Sequence, residues 1–460
     1  MSFLGIDIGT SFIKGAVLYP EVHQLGHIKR FRFPDAIHTG NPLHCEYDPR
    51  EIVKAVKSLI HELAPHVPDC EGLVMCSQMH GLLLMNDKNE PMSNCITWQD
   101  QRAMMPHPSG GGTYYDVLMR RISREVCKEV GNELKPARPI CFLFWLAENG
   151  MLEPGLIPAS LPDFILSTLC GSNPGVETTN ASAYGGLNLR TFDWHHGLIR
   201  ELGLDHLRWP TLRKNGEVVG YLELGSRTVP CFTPVGDAQA ALAGALLTPE
   251  ELSLNISTGS QISRLTARLD LGDYQTRPYF DGIFLNTNAD TPAGRSLDVL
   301  VDLLTELTSA HRMSAEAAWN YIAGETEKVS DTGLEFDLNF FPEPGEDYGK
   351  IAGIRGDNFT IGHLFRAAFK NMADRYYSAA LQLWPDRSWQ KLLFSGGLAL
   401  KLETLRETIQ KKFGTEYRVA PYAEDTLYGL LILATVFSGR ARSVEEVTRR
   451  LRPRSSNLPA

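Results

Sequence analysis

The sequence predicts an α/β protein of two related domains, and three observations carry that expectation. The chain opens with a short apolar run, a glycine-bearing turn and a second β-prone run; the same grammar returns near residue 250; and strand-like segments alternate with segments of helical period. At 460 residues the chain also exceeds the size at which one hydrophobic core keeps growing. A boundary near residue 240 follows, with one domain over 1–240 and the other over 241–460.

Taken in order, Ser2–Ile8 is apolar, Gly9-Thr10-Ser11 interrupts it, and Phe12–Tyr19 brings Phe, Ile, Val and Tyr before Pro20, which reads as strand, turn, strand. A dinucleotide fold needs a helix after its glycine turn, and Phe12–Tyr19 is too short and too β-rich for one, so that reading is set aside. Pro49–Leu63 puts Ile52, Val53, Val56, Leu59 and Ile60 on one helical face. Residues 73–75 and 82–85 read as strands around the polar Ser77-Gln78-Met79-His80. In the second half, 252–256 is apolar, Ser257-Thr258-Gly259-Ser260 is a polar turn, and 261–265 resumes with strand-like residues. Ile361–Leu383 carries Leu364, Ala368, Met372, Tyr376 and Ala380 at helical spacing and predicts a long amphipathic helix. A buried strand then meets Gly396-Gly397, followed by a helix-like segment over 402–413. After Thr448, Arg449, Arg450, Arg452 and Arg454 near Pro453 and Pro459 read as a solvated, partly disordered end.

Composition excludes several classes. The net charge is -9, from 45 Lys+Arg against 54 Asp+Glu, and the basic residues are scattered, which argues against a nucleic-acid partner. The eight cysteines form no CxxC pair and read as reduced thiols. The start of the chain has no basic segment and places Asp7 where a signal peptide is apolar, and no apolar run reaches the ~18 residues of a membrane span. These observations predict a cytoplasmic protein with no membrane partner.

Four short constellations carry chemistry. In Asp7-Ile8-Gly9-Thr10-Ser11-Phe12-Ile13-Lys14, a small-residue turn lets backbone N–H groups approach an anion, Thr10 and Lys14 add a donor and a charge, and Asp7 at the strand end suits a magnesium ion. A plain hairpin also accounts for this turn taken alone. Asn255-Ile256-Ser257-Thr258-Gly259-Ser260 offers hydroxyls and a glycine to the same kind of anion, and Ser395-Gly396-Gly397-Leu398 lets a planar ring lie close to backbone. A hydrogen-bonded turn and a helix cap are their bland counterparts. Asp237 heads a run of small residues through Ala245; an N-cap explains it locally, and a carboxylate at a helix start is also suited to take a hydroxyl proton.

In this order and at these separations the four motifs resemble the FGGY carbohydrate kinases, a branch of the actin-like ATPase superfamily. Further matches lie in 341–368 (Gly345, Gly353, Gly362 and Arg366) and in Glu424-Asp425-Thr426-Leu427-Tyr428-Gly429. The resemblance implies an actin-like, ribonuclease H-like fold of two domains with a cleft between them. The cleft is expected to hold ATP and Mg2+, with the sugar mainly on the N-terminal domain. It implies that Gly9, Thr10, Ser11, Lys14, Thr258, Gly259 and Ser260 cradle phosphates, that Gly396 and Gly397 receive the adenosine, and that Asp237 is the catalytic base. It also implies that Asp7 and Asp237 serve the metal.

The sugar side rests on Gln78, Met79, His80, Trp98, Gln99, Asp100 and Asp237, a mixture of donors, acceptors and an aromatic face that suits a polyhydroxylated ligand. The Gln-Met-His-Gly run is similar to that of xylulokinases, whereas Trp98-Gln99-Asp100 with Arg102, and the segment 180–194, resemble sedoheptulokinases. Two departures stand out: Gln101 replaces an expected glycine, and 288–295 lacks paired glycines. The expectation is a kinase of a ketose, sedoheptulose ahead of xylulose, acting as a monomer or homodimer. Its rivals are a nucleotide-dependent actin-like binding protein and a degenerate kinase that only binds sugar.

Overall fold

The opening hairpin forms where its apolar runs and turn place it. Ser2–Ile8 and Phe12–Tyr19 pair antiparallel, and Ser2–Ile8 is buried along its whole length because it also pairs in parallel with Cys70–Ser77. The sheet continues outward on one side to Gln24–Arg32 and on the other to Arg227–Phe232 and Val218–Leu224, while Val235–Gly236 joins the end of Cys70–Ser77. Pro49–Leu63 is a helix over the expected span; Asp48 accepts from Arg50 N at its start, and its apolar stripe covers the sheet with Leu4, Ile6 and Val17. The computed structural model describes residues 1–173, 175–289, 291–306, 315–341 and 347–452. Gly345, Pro453, Arg454 and Pro459 lie outside the described residues.

The chain forms two compact units: Met1–Leu246 with Ala267–Phe284 and Pro421–Ala460, and Leu247–Thr266 with Leu285–Ala420. Inside the first unit a second core surrounds Phe142, Phe144, Tyr184 and Trp194. In the second unit, Glu251–Ile256 pairs antiparallel with Ser260–Thr266 and in parallel with Lys391–Ser395, and Glu416–Val419 extends the sheet. Ile361–Leu383 is the long helix its period predicts, and it buries Phe365, Phe369, Met372 and Tyr376. The helix-like segment near 402 divides into Gly397–Lys401 and Glu403–Phe413.

Within the first unit, Asp237–Gly244 crosses Asp425–Phe437 at backbone distance. A Cβ at Gly244 would lie 1.8 Å from Asp425 O, and one at Gly429 would lie 1.9 Å from Ala240 O. This crossing is the physical reason for the small residues after Asp237. The arginines expected in a disordered end are instead partly ordered: Val444–Leu451 is a helix capped by Ser443, with Arg449 and Arg450 paired to Glu445 and Glu446 one turn earlier. Sequence reading missed it because the charges hide a narrow apolar edge at Val444 and Val447. The eight cysteines form no disulfide, and no helix among the described residues is long and apolar enough to cross a membrane.

Candidate active site

The turn after Ile8 is tight: Gly9 N donates to Phe12 O at 3.0 Å, and a Cβ on Gly9 would sit 3.1 Å from that oxygen. Ser11 is exposed beside it. Asp7, 3% exposed, accepts from the Thr426 hydroxyl at 2.6 Å and from the Cys76 thiol at 3.5 Å, and lies 3.1 Å from Lys14 Nζ. Lys14 also reaches Glu424 at 3.2 Å, and Arg30 bonds the same carboxylate. Burial opposes the charge on Lys14, but Asp7 and Glu424 outweigh it and raise the ammonium above its usual value. Glu424 and Thr426 reach this turn because Pro421 onward returns to the first unit.

The expected sugar segment is bonded to this turn. The Thr10 hydroxyl donates to Gln78 Oε1 at 3.3 Å and accepts from Trp98 Nε1 at 3.0 Å, and Gln78 N donates to Ile8 O at 2.8 Å. Met79 is buried against Gly236, whose Cβ, if present, would lie 2.9 Å from the Met79 sulfur. Gln99 is exposed, with Oε1 3.5 Å from the Tyr47 hydroxyl. Asp100 is different in kind. Completely buried, it accepts from Cys45 N, Arg102 N, Arg102 Nε and Arg102 Nη2 at 2.7–2.9 Å, so its carboxylate is occupied by the protein and fixes its own loop. A free hydroxyl-binding carboxylate, as expected from the sequence, is not what this geometry presents.

His80 has a φ of 69°, an unusual left-handed backbone for a non-glycine residue. Its Nε2 lies 3.6 Å from Glu133 Oε2 and has no hydrogen-bond partner among the described residues. Burial, with the charge of Arg138, lowers its pKa to about 3, so the imidazole is neutral. Sequence reasoning missed the group around it. Glu133, with no exposure, takes Arg277 Nε at 2.5 Å, Gln275 Nε2 at 3.1 Å and Arg138 Nε at 3.0 Å, and the two guanidinium charges hold it well below the usual carboxylate range against the effect of burial.

Asp237 is the first residue of its helix; the cap position is Gly236 rather than Asp237 itself. Its Oδ1 accepts from Ala238 N at 2.8 Å. Burial and then the charge of Asp7 push its pKa up to about 7, which makes it a carboxyl able to hold and release a proton near neutrality. The strand before it is braced from behind: Gly236 N donates to the Thr179 hydroxyl at 2.9 Å, and that hydroxyl donates to Glu177 at 2.5 Å.

In the second unit, Thr258 and Gly259 are exposed at the turn, whereas Ser260 is buried and spends its hydroxyl on Thr291 at 2.7–3.0 Å. Gly396 has a φ of 86°, and a Cβ there would lie 2.5 Å from Ile256 O, so only glycine fits. Gly397 borders open space and donates to the Ser257 hydroxyl at 3.1 Å. A cavity of about 770 Å3 opens here, lined by Ser257, Thr258, Gly397 and Leu398 together with Gly294, Trp319 and Asn320, which the sequence did not single out. Its size and single aromatic face suit a nucleoside.

The family model for the N-terminal domain of the FGGY family of carbohydrate kinases matches residues 2–244. The chain is 22% identical over 488 residues to a gluconokinase of Bacillus licheniformis, spanning 97% of this chain and 89% of that protein. Its fold is similar to that of a xylulose kinase from Rhodospirillum rubrum, with a TM-score of 0.84 at 17% identity and coverage of 97% and 92%. It is likewise similar to the glycerol kinase of Plasmodium falciparum solved with ADP, with a TM-score of 0.81 at 16% identity and coverage of 99% and 93%. The chain thus has the actin-like α/β fold of these sugar kinases and belongs to the FGGY family of carbohydrate kinases, enzymes that transfer a phosphoryl group from ATP to a sugar hydroxyl.

Proposed function

We propose that this kinase phosphorylates a ketose, sedoheptulose first and a pentulose such as xylulose as the alternative, with Asp237 as the base. The observation that supports the base most directly is a carboxyl at the head of a helix with a pKa of about 7, beside the buried Asp7. Such a group is ionised often enough to take a hydroxyl proton and basic enough to keep it. In a loose phosphoryl-transfer transition state the proton leaves late, so Asp237 also orients the hydroxyl. The brace from Glu177 through Thr179 to Gly236 fixes its position. The choice of ketose rests on the resemblance of Gln78 to Gly81 and of Trp98 to Asp100 to ketose kinases, and a xylulose kinase is among the structural relatives.

In this reading Gly9, Thr10, Ser11 and Lys14 make one phosphate turn, and Thr258 and Gly259 belong to another. Ser260 supports its turn from within, and Gly396 and Gly397 leave room for the adenosine. The donor set also fits Mg2+: burial and then the charge of Asp7 raise Asp237, and burial with the charges of Asp7 and Glu424 raises Asp425, so this acidic group has room for a further positive charge beside Lys14. Among the described residues no cluster of three His, Cys, Asp or Glu side chains is arranged to hold a metal alone. Magnesium suits such a site because it keeps waters and shares phosphate oxygens, and when bound it neutralises charge on the transferred group. Asp7 and Asp237 are the residues assigned to it. The eight free thiols suit a reducing compartment such as the cytoplasm, and the net charge of -9 argues against a nucleic-acid partner.

An ADP-release screen over ketoses and polyols with ATP and magnesium tests the reading, with a seven-carbon ketose expected as the best acceptor. Glycerol as the best acceptor removes the ketose and leaves the kinase. Nucleotide hydrolysis that no sugar stimulates supports the actin-like binding-protein rival instead.

A further inference from the structure

Hydrogen-bond donors and acceptors around Glu133 are unequal in number. Glu133 Oε1 already accepts from Arg277 and Gln275, and Oε2 accepts from Arg138. Arginine carries five N–H donors and no acceptor. Arg277 is 3% exposed, and its two terminal nitrogens have no protein partner among the described residues; only Nε is engaged. Arg138 gives Nη1 to Ala137 O at 3.1 Å, and its Nη2 is likewise unengaged among the described residues. Arg277 lies close enough to His80 and to Asp237 for its charge to act on both. Neither arginine has a terminal nitrogen among the fully buried, unpartnered atoms, so these free donors carry the little surface that Arg277 keeps and can be offered to a ligand.

We propose that Arg277 and Arg138 form a donor-only wall that reads an sp2 oxygen of the bound sugar, either the carbonyl of an open-chain ketose or the carboxylate of a sugar acid. This inference rests on the kinase reading and deepens it. A hydroxyl can accept from arginine, but it brings a proton of its own, which Glu133, with both oxygens filled, does not take. A carbonyl or carboxylate oxygen brings lone pairs and no proton. The wall therefore selects against the reduced alditol. Two guanidinium groups against one carboxylate leave one positive charge in excess, which a carboxylate ligand would meet more fully than a carbonyl.

The test measures ADP release by the full chain, with ATP and magnesium, on matched ketoses, alditols and aldonates of different length. The parent enzyme should prefer the ketose or the aldonate over the alditol by about 10- to 100-fold in kcat/KM. Arg277→Gln should erase most of that preference while changing the KM for ATP by less than about 3-fold. Arg277→Lys keeps a charge without the planar fork and should restore more activity on an aldonate than on a ketose. An aldonate preferred by the parent assigns the carboxylate; a ketose preferred assigns the carbonyl. If Arg277→Gln slows all three classes alike, Arg277 only steadies Glu133 and the proposal fails. If an alditol or glycerol is the best acceptor, the proposal fails while the kinase stands. If no sugar of any class is phosphorylated, the kinase reading fails and takes the proposal with it.

Discussion

The hairpins over 2–19 and 251–266 share one plan and differ in charge. In each, two antiparallel strands meet at a short polar turn, and the first strand pairs in parallel with a strand from farther along the chain, Cys70–Ser77 or Lys391–Ser395. The registers correspond closely. Asp7 faces Lys14 across the first hairpin and Cys76 on its other side; Asn255 faces Gln261 across the second and Ser395 on its other side. An acid and a base in one copy are thus two neutral amides in the other. The first turn is further bound into an ionic cluster with Glu424, whereas Ser257, Thr258 and Gly259 of the second turn are neutral and the charges of its cavity, Asp298, Glu316 and Lys401, come from other segments. One scaffold thus carries charge within its turn, and the same scaffold with a neutral turn leaves space beside it for a ligand. This contrast predicts that changes to the acids near the first hairpin act on kcat, and that changes to Lys14 and to the second hairpin act on the use of ATP.

The largest effect is expected at Asp237, which lies on the charged side of the comparison. Asp237→Asn should lower kcat by about 100-fold or more while leaving both substrates bound. In the parent, kcat/KM should climb about 10-fold from pH 6 to pH 8, because a base of pKa about 7 must be ionised to act. The linkage to stability has the opposite sense. A carboxyl raised from 3.8 to about 7 on folding binds its proton more tightly in the folded chain, so its contribution is greatest below pH 4 and is lost as pH rises through 7. The Asn variant should therefore melt higher than the parent at pH 8. Near-parental turnover would remove Asp237 from the mechanism.

Asp7→Asn makes the first hairpin resemble the second and is the sharpest test of the contrast. It should reduce kcat by about 10- to 100-fold and, by removing a neighbouring negative charge, shift the pH profile of the remaining activity to lower pH. A change confined to the KM for ATP would mean that the two hairpins play the same part. Lys14→Gln removes the matching cation and should raise the KM for ATP about 10-fold, with the KM for the sugar steady. The smallest effect is expected on the neutral side: Ser257→Ala loses the bond from Gly397 N and should raise the KM for ATP by about 3-fold with kcat unchanged. A larger fall in kcat there than at Lys14 would break the comparison.

The turns and helix start assigned to the candidate site were legible because they are local. Gly9, Gly396 and Asp237 stand at strand ends and helix starts, where backbone geometry dictates residue type and leaves a pattern a few residues long. Asp100 shows the limit of local reading: a carboxylate between Gln99 and Gln101 looks available in the sequence, and in the structure Cys45 and Arg102 bond both of its oxygens. Ser260 likewise reads as a phosphate ligand by its place in the turn, and its hydroxyl proves to be occupied by Thr291.

The sequence by itself determined both hairpins, the long helix Ile361–Leu383 and the acid at the head of Asp237–Gly244, since each rests on hydrogen bonding and apolar spacing between near neighbours. Only the tertiary structure brought Glu424 and Thr426 to Asp7 across more than 400 positions, and His80, Glu133, Arg138 and Arg277 to a single buried point. No periodicity marks such meetings. Burial decides them, because a charge taken out of water must find its partner wherever the fold can supply one.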